Sequence, residues 1–202
     1  MKLRLHGRIV ALVIGLVLAG GQGRRMGANK ATLKLGDETL AMRAQRYLAA
    51  RAAQVWISTN EPASSGVFAR VLADAPIYGS GAGPLAGVAT ALPQIATPWL
   101  LTLPVDVPWL PADLHVRLAQ AVLTNHAKVA YAQTQGRDHP LCMLVHQSLG
   151  ASLHRYLLHG DRKVLLWLQA EQAVPVMFAG GDALFANLNT PDDLAWAQRR
   201  LN

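Results

Sequence analysis

The chain has 202 residues, one cysteine and a formal net charge of +7 at pH 7. The single cysteine, Cys142, excludes an intramolecular disulfide and a zinc site built on paired cysteines, and it suits a reducing compartment. The positive charge favours anionic partners such as nucleotides, phosphorylated metabolites or nucleic acid, without choosing among them. This length fits one domain over residues 1–202, and no linker-like composition divides the chain.

The chain opens with an apolar run, residues 9–19, which follows Lys2, Arg4 and Arg8. This pattern is typical of a secretory signal peptide or of a buried strand. The run is much shorter than the roughly 20 apolar residues that a membrane-spanning helix needs. It is rich in Val and Ile and leads directly into glycines, as a central parallel strand does. We therefore predict a strand, no contact with a membrane, and a cytoplasmic protein.

Segments typical of strands and helices alternate along the rest of the chain, as a βαβ series requires. Strands are predicted at 55–59, 67–73, 99–103 and 173–178, with a hairpin or edge pair at 129–134 and 139–145. Helices are predicted at 39–53, 111–123, 148–158 and 163–169, and a last helix begins at Pro191 after the N-cap Thr190. Asp192 and Asp193 suit the positive end of its dipole. The pattern predicts an α/β three-layer sandwich with a Rossmann-like, mostly parallel sheet flanked by helices.

A glycine-rich loop, LAGGQGRRMGANK (residues 18–30), follows the first predicted strand. Its four glycines would let the backbone approach a ligand and direct several N–H groups at phosphate oxygens. Arg24, Arg25 and Lys30 add positive charge. The loop is not a Walker motif, which ends in Gly-Lys-Ser/Thr, nor a dinucleotide fingerprint, which needs Gly where Met26 stands. It indicates a phosphate site, and the alternative is a glycine-rich turn with solvated arginines.

This loop resembles the signature of the molybdenum cofactor guanylyltransferases, a family of nucleotidyltransferases. The resemblance continues in order through VLAD (71–74), GPLAG (83–87), LPVDVPWLPADL (103–114), GRDHPL (136–141), LLHGDRKV (157–164) and NLNTPDDL (187–194). It implies a sheet of the nucleotide-diphospho-sugar transferase type. It also implies that GMP passes from GTP to the phosphate of molybdenum-molybdopterin, with Mg²⁺ as cofactor and pyrophosphate as the second product.

The resemblance also implies the partners of the protein. They are GTP and molybdenum-molybdopterin, with molybdopterin-delivery proteins and molybdoenzyme chaperones as further partners of such an enzyme. We expect no nucleic acid, because no basic helix or aromatic RNA-binding motif accompanies the positive charge. We expect a monomer or a weak oligomer.

Nucleotidyl transfer sets an anionic acceptor against a tetra-anionic triphosphate, so the protein must neutralise charge and align the two groups. We assign catalysis to Arg25, Lys30 and Asp106, and we expect Asp106 to bind Mg²⁺ because it follows an apolar strand. The alternative for Asp106 is a turn before Pro108. The expected GTP contacts are Leu18, Ala19, Gly20, Gly21, Lys30, Ser58, Asp74 and Asp106. Ser58 aligns with an Asn of the family while Asn60 keeps its residue type, and the choice between them stays open.

The acceptor side is assigned from the resemblance to two glycines, a basic pair and two asparagines: Gly83, Gly87, Arg162, Lys163, Asn187 and Asn189. A Gly-Pro turn that starts a helix is the alternative for the glycines. Capping and turn formation before Thr190 are the alternative for the asparagines. We expect His139 and His146 to be structural, because they have no partners at metal-ligand spacing.

Three departures from the family's pattern affect the choice of substrate. Asn29 stands where the family usually has Asp, the loop between Met26 and Lys30 is one residue shorter, and Lys163 replaces a frequent Arg. A related transferase that uses CTP or a sugar-phosphate acceptor therefore stays open, as does a noncatalytic nucleotide-binding module. The LAGG form of the loop favours guanine.

Overall fold

The computed structural model describes residues 11–20, 29–61, 68–79, 81–180 and 183–201. Its strands are β1 (Val13–Leu18), β2 (Lys34–Leu35), β3 (Glu38–Thr39), β4 (Gln54–Ser58), β5 (Arg70–Leu72), β6 (Trp99–Pro104), β7 (Val129–Thr134), β8 (Arg137–His146) and β9 (Val174–Met177). Its α-helices are α1 (Leu40–Ala49), α2 (Pro84–Ala91), α3 (Leu114–Thr124), α4 (Gly150–Leu158), α5 (Val164–Ala170) and α6 (Pro191–Arg199).

Seven strands form one sheet in the order β5-β4-β1-β6-β8-β7-β9, and β2 pairs with β3 in a separate hairpin. Within the large sheet only β8 runs against its neighbours β6 and β7. The chain passes from β1 to β4 and β5 on one side, and then returns to β6 on the other side of β1. Ligands of such sheets bind beyond the carboxyl ends of the strands where this reversal occurs.

Helices cover both faces of the sheet, so β1 is buried on both of its faces. Its alternate side chains enter two different hydrophobic cores. Val13 and Val17 share one core with buried residues of α1, α3 and α6. Ile14, Leu16 and Leu18 share the other with buried residues of α2, α4 and α5. The expected three-layer α/β sandwich is confirmed.

The predicted elements are largely confirmed, and they differ mainly at their ends. The first strand spans Val13–Leu18, and residues 1–10 lie outside the described residues. The predicted helix 39–53 ends at Ala49, because Ala53 already donates its backbone N–H to the Val13 carbonyl at the start of β1. The predicted strand 67–73 corresponds to β5, which is shorter and spans Arg70–Leu72, and residue 67 lies outside the described residues. In the part of the chain that the structure describes, no helix is long and apolar enough to cross a membrane.

Candidate active site

A cleft of about 1010 Å³ lies at the carboxyl ends of β1, β4 and β5. The cleft includes the carboxyl end of β1, which is one of the two strands between which the strand order reverses. Its wall contains six of the predicted nucleotide or acceptor residues, together with neighbours that the sequence interpretation passed over. The lining residues are Leu18, Ala19, Gly20, Ser58, Thr59, Asn60, Glu61, Asp74, Ala75, Pro76, Gly79, Gly81, Gly83 and Pro84. We call these residues the cleft wall.

Backbone hydrogen bonds hold the central part of the cleft wall together. The Ala19 N–H donates to the Ser58 carbonyl at 2.9 Å, which joins the ends of β1 and β4. On the other side of β1, the Val105 N–H donates to the Leu18 carbonyl at 3.0 Å. Asp106 therefore follows directly on a residue that is bonded to the cleft wall, which brings the predicted metal ligand beside the predicted nucleotide loop.

Close packing between α2 and β4 explains why residue 87 is a glycine. A Cβ added to Gly87 would lie 2.8 Å from the Ser58 Cβ and closer still to the Ser58 hydroxyl oxygen. Real Cβ atoms do not approach other atoms so closely, so α2 packs on β4 only because residue 87 has no side chain. Ser58 itself is 3% exposed. The assignment of Gly87 to the acceptor stays a prediction, and the structure adds this packing role to it.

Gly83 has the conformation that a turn into α2 requires. Its φ is +79°, in the region that favours glycine, and Pro84 then occupies the first turn of the helix. Gly83 also lines the cleft. The alternative of a Gly-Pro helix start therefore holds, and a ligand contact at Gly83 is compatible with it.

Asn60 and Asp74 form a reciprocal pair at the ends of β4 and β5. The Asn60 amide Nδ2 donates to Asp74 Oδ2 at 2.9 Å, and the Asp74 backbone N–H donates to Asn60 Oδ1 at 2.9 Å. Both residues line the cleft, as does the buried Ser58. Asn60 therefore orients the Asp74 carboxylate, while Ser58 lies at the base of the wall between β4 and α2.

Lys30, Asp106 and Asn189 form a cluster that we call the lysine cluster. The Lys30 Nζ lies 2.8 Å from Asp106 Oδ2 and 2.7 Å from Asn189 Oδ1. The Lys30 and Asp106 side chains are 21% and 15% exposed, so water screens this ion pair less than it screens a surface pair. The structure brings these two predicted catalytic residues into contact. The contact of Asn189 with Lys30 was missed, because the sequence interpretation placed Asn189 on the acceptor or in a cap.

The segment that carries Asn189 is bonded to Asp106 and to α6. The Leu188 N–H donates to the Asp106 carbonyl at 2.9 Å. Asp193 Oδ2 accepts from the backbone N–H groups of Asn189 at 2.8 Å and Thr190 at 2.9 Å. The pKa of Asp193 is lowered, chiefly by the hydrogen bond that its carboxylate accepts from the Asn189 N–H. Thr190 and Asp193 complete a capping box, so the predicted helix start is confirmed. Asn187 begins this segment and is partly buried.

Arg162 contacts the backbone near the cleft wall. Its guanidinium donates to the carbonyls of Leu157 and Asp161, both at 2.7 Å, and of Tyr78 at 3.1 Å. It thereby joins the end of α4 to the turn Pro76–Tyr78, and Pro76 belongs to the cleft wall. Lys163 is exposed and precedes α5. No sequence signal marked the contacts of Arg162 with carbonyl groups, and phosphate binding by this pair stays a prediction.

Asn29 contacts Glu61, a residue of the cleft wall. Its amide Nδ2 donates to Glu61 Oε2 at 2.7 Å, and its Oδ1 accepts from the Ala31 N–H at 2.9 Å. Glu61 belongs to the cleft wall and was not singled out from the sequence. An aspartate at position 29 would set two carboxylates against each other. The contact with Glu61 thus gives a physical reason for the departure from the family's usual Asp.

The predictions for Gly21, Arg24 and Arg25 lie outside the described residues. They stay predictions. The two histidines have structural contacts: His139 stacks on Phe185 with ring centroids 4.6 Å apart, and His146 accepts from the Ser148 N–H. Burial lowers the pKa of both histidines.

The chemistry of the lysine cluster fits Mg²⁺ only in a limited way. Among the described residues, no group of three or more His, Cys, Asp or Glu side chains could hold a metal ion. Mg²⁺, however, is commonly bound by one or two carboxylates together with substrate phosphates and water. The Asp106 carboxylate and the Asn189 amide supply hard oxygen atoms of that kind. The residues therefore fit a metal that binds together with a nucleotide.

The chain has the nucleotide-diphospho-sugar transferase fold, which solved structures of nucleotidyltransferases share. Molybdopterin-guanine dinucleotide biosynthesis protein A from Archaeoglobus fulgidus has a similar structure, with a TM-score of 0.78 and 24% identity over 93% of this chain and 98% of that one. The 2-C-methyl-D-erythritol 4-phosphate cytidylyltransferase of Thermus thermophilus shares the fold at a TM-score of 0.68, with 18% identity over 92% and 97% of the two chains.

The chain belongs to the molybdenum cofactor guanylyltransferase family, as its motifs predicted. Residues 15–187 match the model of the MobA-like NTP transferase domain. The molybdenum cofactor guanylyltransferase of Yersinia pseudotuberculosis is 37% identical over 194 residues, which cover 93% of this chain and 96% of the relative.

Proposed function

We propose that the protein transfers GMP from GTP to the phosphate of molybdenum-molybdopterin, with Mg²⁺, in the cytoplasm. Family membership supports the reaction class. The observation that carries the assignment to this chain's residues is the 2.8 Å contact between Lys30 and Asp106, which lie 76 positions apart and meet beside the cleft. This contact supports the proposal that Lys30 and Asp106 act together on the phosphates of the nucleotide, Lys30 as a cation and Asp106 as a ligand of the metal.

The proposed reaction is a direct displacement at phosphorus. An oxygen of the acceptor phosphate attacks the α-phosphorus of GTP and forms a new P–O bond. The bond between the α-phosphorus and the bridging oxygen to the β-phosphate breaks, and that oxygen leaves with its electron pair on pyrophosphate. No protein nucleophile is needed, so the residues act by neutralising charge and by holding the groups in line.

Lys30 supplies a fixed positive charge for this displacement. An ammonium group has three N–H donors. Asp106 and Asn189 each accept one of them, which fixes the direction of the third. We assign that third donor to a phosphate oxygen near the reacting centre. The ammonium then needs no rearrangement when negative charge develops on the leaving pyrophosphate.

Asp106 would hold Mg²⁺ together with phosphate oxygens of the nucleotide. When bound there, the metal would neutralise phosphate charge and orient the leaving pyrophosphate. Asp106 would also keep Lys30 in place through their ion pair. These two tasks explain why one carboxylate at the end of β6 has a larger expected effect than the acidic residues of the cleft wall.

The cleft wall suits the guanosine part of the nucleotide. Guanine carries N–H donors on the edge that pairs with cytosine. Asp74 and Glu61 bring carboxylate acceptors to the wall. The backbone of Leu18, Ala19 and Gly20 also lines the cleft, and among the described residues none has an atom within 4 Å of a Cβ built on Gly20. We therefore expect MgGTP to bind more tightly than MgATP or MgCTP.

Product analysis tests this proposal directly. The purified chain is incubated with molybdenum-molybdopterin, Mg²⁺ and each of the four nucleoside triphosphates, and the dinucleotide products are identified by mass. We expect the guanine dinucleotide with GTP, and its loss when EDTA removes the metal. A cytosine dinucleotide with CTP alone would contradict the guanine assignment. Tight GTP binding with no product from any nucleotide would contradict catalysis.

A further inference from the structure

The capping residue of α6 is connected to the lysine cluster through two consecutive contacts. Asp193 Oδ2 accepts from the Asn189 backbone N–H at 2.8 Å, and Asn189 Oδ1 accepts from the Lys30 Nζ at 2.7 Å. A residue that only capped the helix would need no more than the bond from the Thr190 N–H. The second bond reaches one residue further, to the residue that contacts the lysine.

We propose that Asp193 is a positioning residue, which holds the backbone of Asn189 so that the Asn189 amide oxygen directs the Lys30 ammonium toward the substrate phosphates. This proposal rests on the proposed function for the assignment of Lys30 to phosphate. The positioning itself rests on the contacts of the described residues.

Backbone hydrogen bonds hold both ends of the short segment 188–190, which directly precedes α6. The Leu188 N–H donates to the Asp106 carbonyl at 2.9 Å, so one end of the segment is bonded to the residue that pairs with Lys30. Asp193 holds the other end through two backbone N–H groups. The backbone of Asn189 therefore lies between two anchors, in the position from which its amide oxygen contacts the Lys30 Nζ. Removal of either anchor would let the amide turn away from the ammonium.

The charge of Asp193 strengthens this arrangement. A carboxylate makes stronger bonds to backbone N–H groups than a neutral acceptor does. Lys30 is close enough that its positive charge also favours the ionised form of Asp193 and contributes to its lowered pKa. Asp193 is thus ionised throughout the neutral range, and it holds Asn189 equally well across the pH range in which the enzyme would be assayed.

The test is a double-mutant cycle on the rate of GMP transfer. We expect D193A to lower kcat about tenfold and N189A to lower it about tenfold, since each removes the hydrogen bond that orients a charged group. If Asp193 acts through Asn189, the D193A/N189A variant loses about tenfold as well, because the second change has nothing left to remove. Independent effects would multiply to about a hundredfold loss, and that result would overturn the proposal.

Two control variants separate positioning from helix stability and from charge. T190A removes the N-cap hydroxyl and lowers the melting temperature, but it leaves the bond from the Asn189 N–H to Asp193 in place. D192N removes an exposed carboxylate from the same first turn of α6. We expect both to keep kcat within about twofold of the native chain. A T190A variant as slow as D193A would overturn the proposal, because loss of the cap alone would explain the effect.

A structural readout keeps this test apart from the test of the reaction. Crystals of the ligand-free native chain and of the D193A variant need neither GTP nor molybdopterin. We expect D193A to show the Asn189 Oδ1 moved beyond 3.5 Å from the Lys30 Nζ, outside hydrogen-bond range. An unchanged contact would overturn the positioning even if GMP transfer is confirmed. A displaced contact in a chain that makes no guanine dinucleotide would support the positioning and contradict the proposed function.

Discussion

The cleft wall and the lysine cluster meet at the end of β1, but different interactions build them. The cleft wall is made by strand ends, backbone hydrogen bonds and the close approach of α2 to β4 at Gly87. The lysine cluster is made by polar side chains from three segments that are distant in the sequence. A substitution that changes the volume of a side chain in the cleft wall should therefore lower the free energy of unfolding. A substitution that changes the charge of a side chain in the lysine cluster should lower the activity while the fold is kept.

The largest effect is expected at Asp106. The D106N variant keeps the shape of the side chain but loses the charge that pairs with Lys30 and would hold Mg²⁺. We expect GMP transfer to fall by about a hundredfold, or about 3 kcal/mol of transition-state stabilisation. The measurement is the transfer rate across a Mg²⁺ titration, with thermal melting as the control for folding. Near-native activity with unchanged Mg²⁺ dependence would show that Asp106 is only a turn residue.

The next effect is expected at Gly87, in the cleft wall. The G87A variant forces a Cβ to within 2.8 Å of the Ser58 Cβ, so α2 must move away from β4. Overpacking of this kind costs about 1 to 3 kcal/mol of unfolding free energy. Chemical denaturation measures the cost, and the matched control is the G87A/S58G double variant, in which removal of the serine side chain restores space. Failure of S58G to recover stability would contradict the packing explanation.

A smaller effect is expected where Asn29 contacts Glu61. The N29D variant sets two carboxylates against each other on an exposed pair, so we expect a loss of up to about 1 kcal/mol in unfolding free energy. The E61Q change should remove the repulsion, and N29D/E61Q should melt near the native temperature. The loss should shrink at high salt, because exposed charges are screened. Equal melting of N29D with and without E61Q would show that the contact is unimportant.

The smallest effect is a pH dependence at Asp193. Its folded-state pKa is lowered, first by the bond from the Asn189 N–H, so the ionised form stabilises the fold. That contribution is fully present above the ordinary aspartate pKa of about 3.9, and it is lost as the pH falls through the lowered folded value. We expect the melting temperatures of the native chain and D193N to differ above about pH 4 and to converge below it. Glu38, whose pKa Arg46 lowers, titrates in both chains and cancels in the comparison. A difference that persists to the lowest pH would show that the charge is not responsible.

Some of the fold and site could be predicted because the signal is local. The apolar run that leads into glycines predicted β1, and the apolar segment before Asp106 predicted β6 and a carboxylate at its end. Thr190 and Pro191 predicted the start of α6, since a cap and a fixed φ act within one turn of the chain. The order of the short motifs predicted the family. Each of these inferences needed only neighbouring residues or the sequence as a whole.

Other features depended on which segments the fold brings together. Asn189 contacts Lys30 across 159 positions, and no periodicity or spacing indicates such a pair. Arg162 donates to the Tyr78 carbonyl across 84 positions, although the family resemblance implied a phosphate site at this residue. Gly87 is explained by the Ser58 side chain on a different element. In each case the partner residue belongs to a segment that is distant in the sequence and that only the packed fold brings close.

The sequence by itself determined most of the strand and helix pattern, the family and the residue types able to neutralise phosphate charge, because these follow from local preferences and from motif order. Tertiary structure alone decided that Lys30 lies between Asp106 and Asn189, that Asn60 orients Asp74, and that Asn29 contacts Glu61. The physical reason is the distance along the chain over which each kind of interaction acts. Helix and strand preferences act over a few residues, whereas hydrogen bonds between side chains require atoms within about 3 Å, which only the packed sheet and its connections bring together.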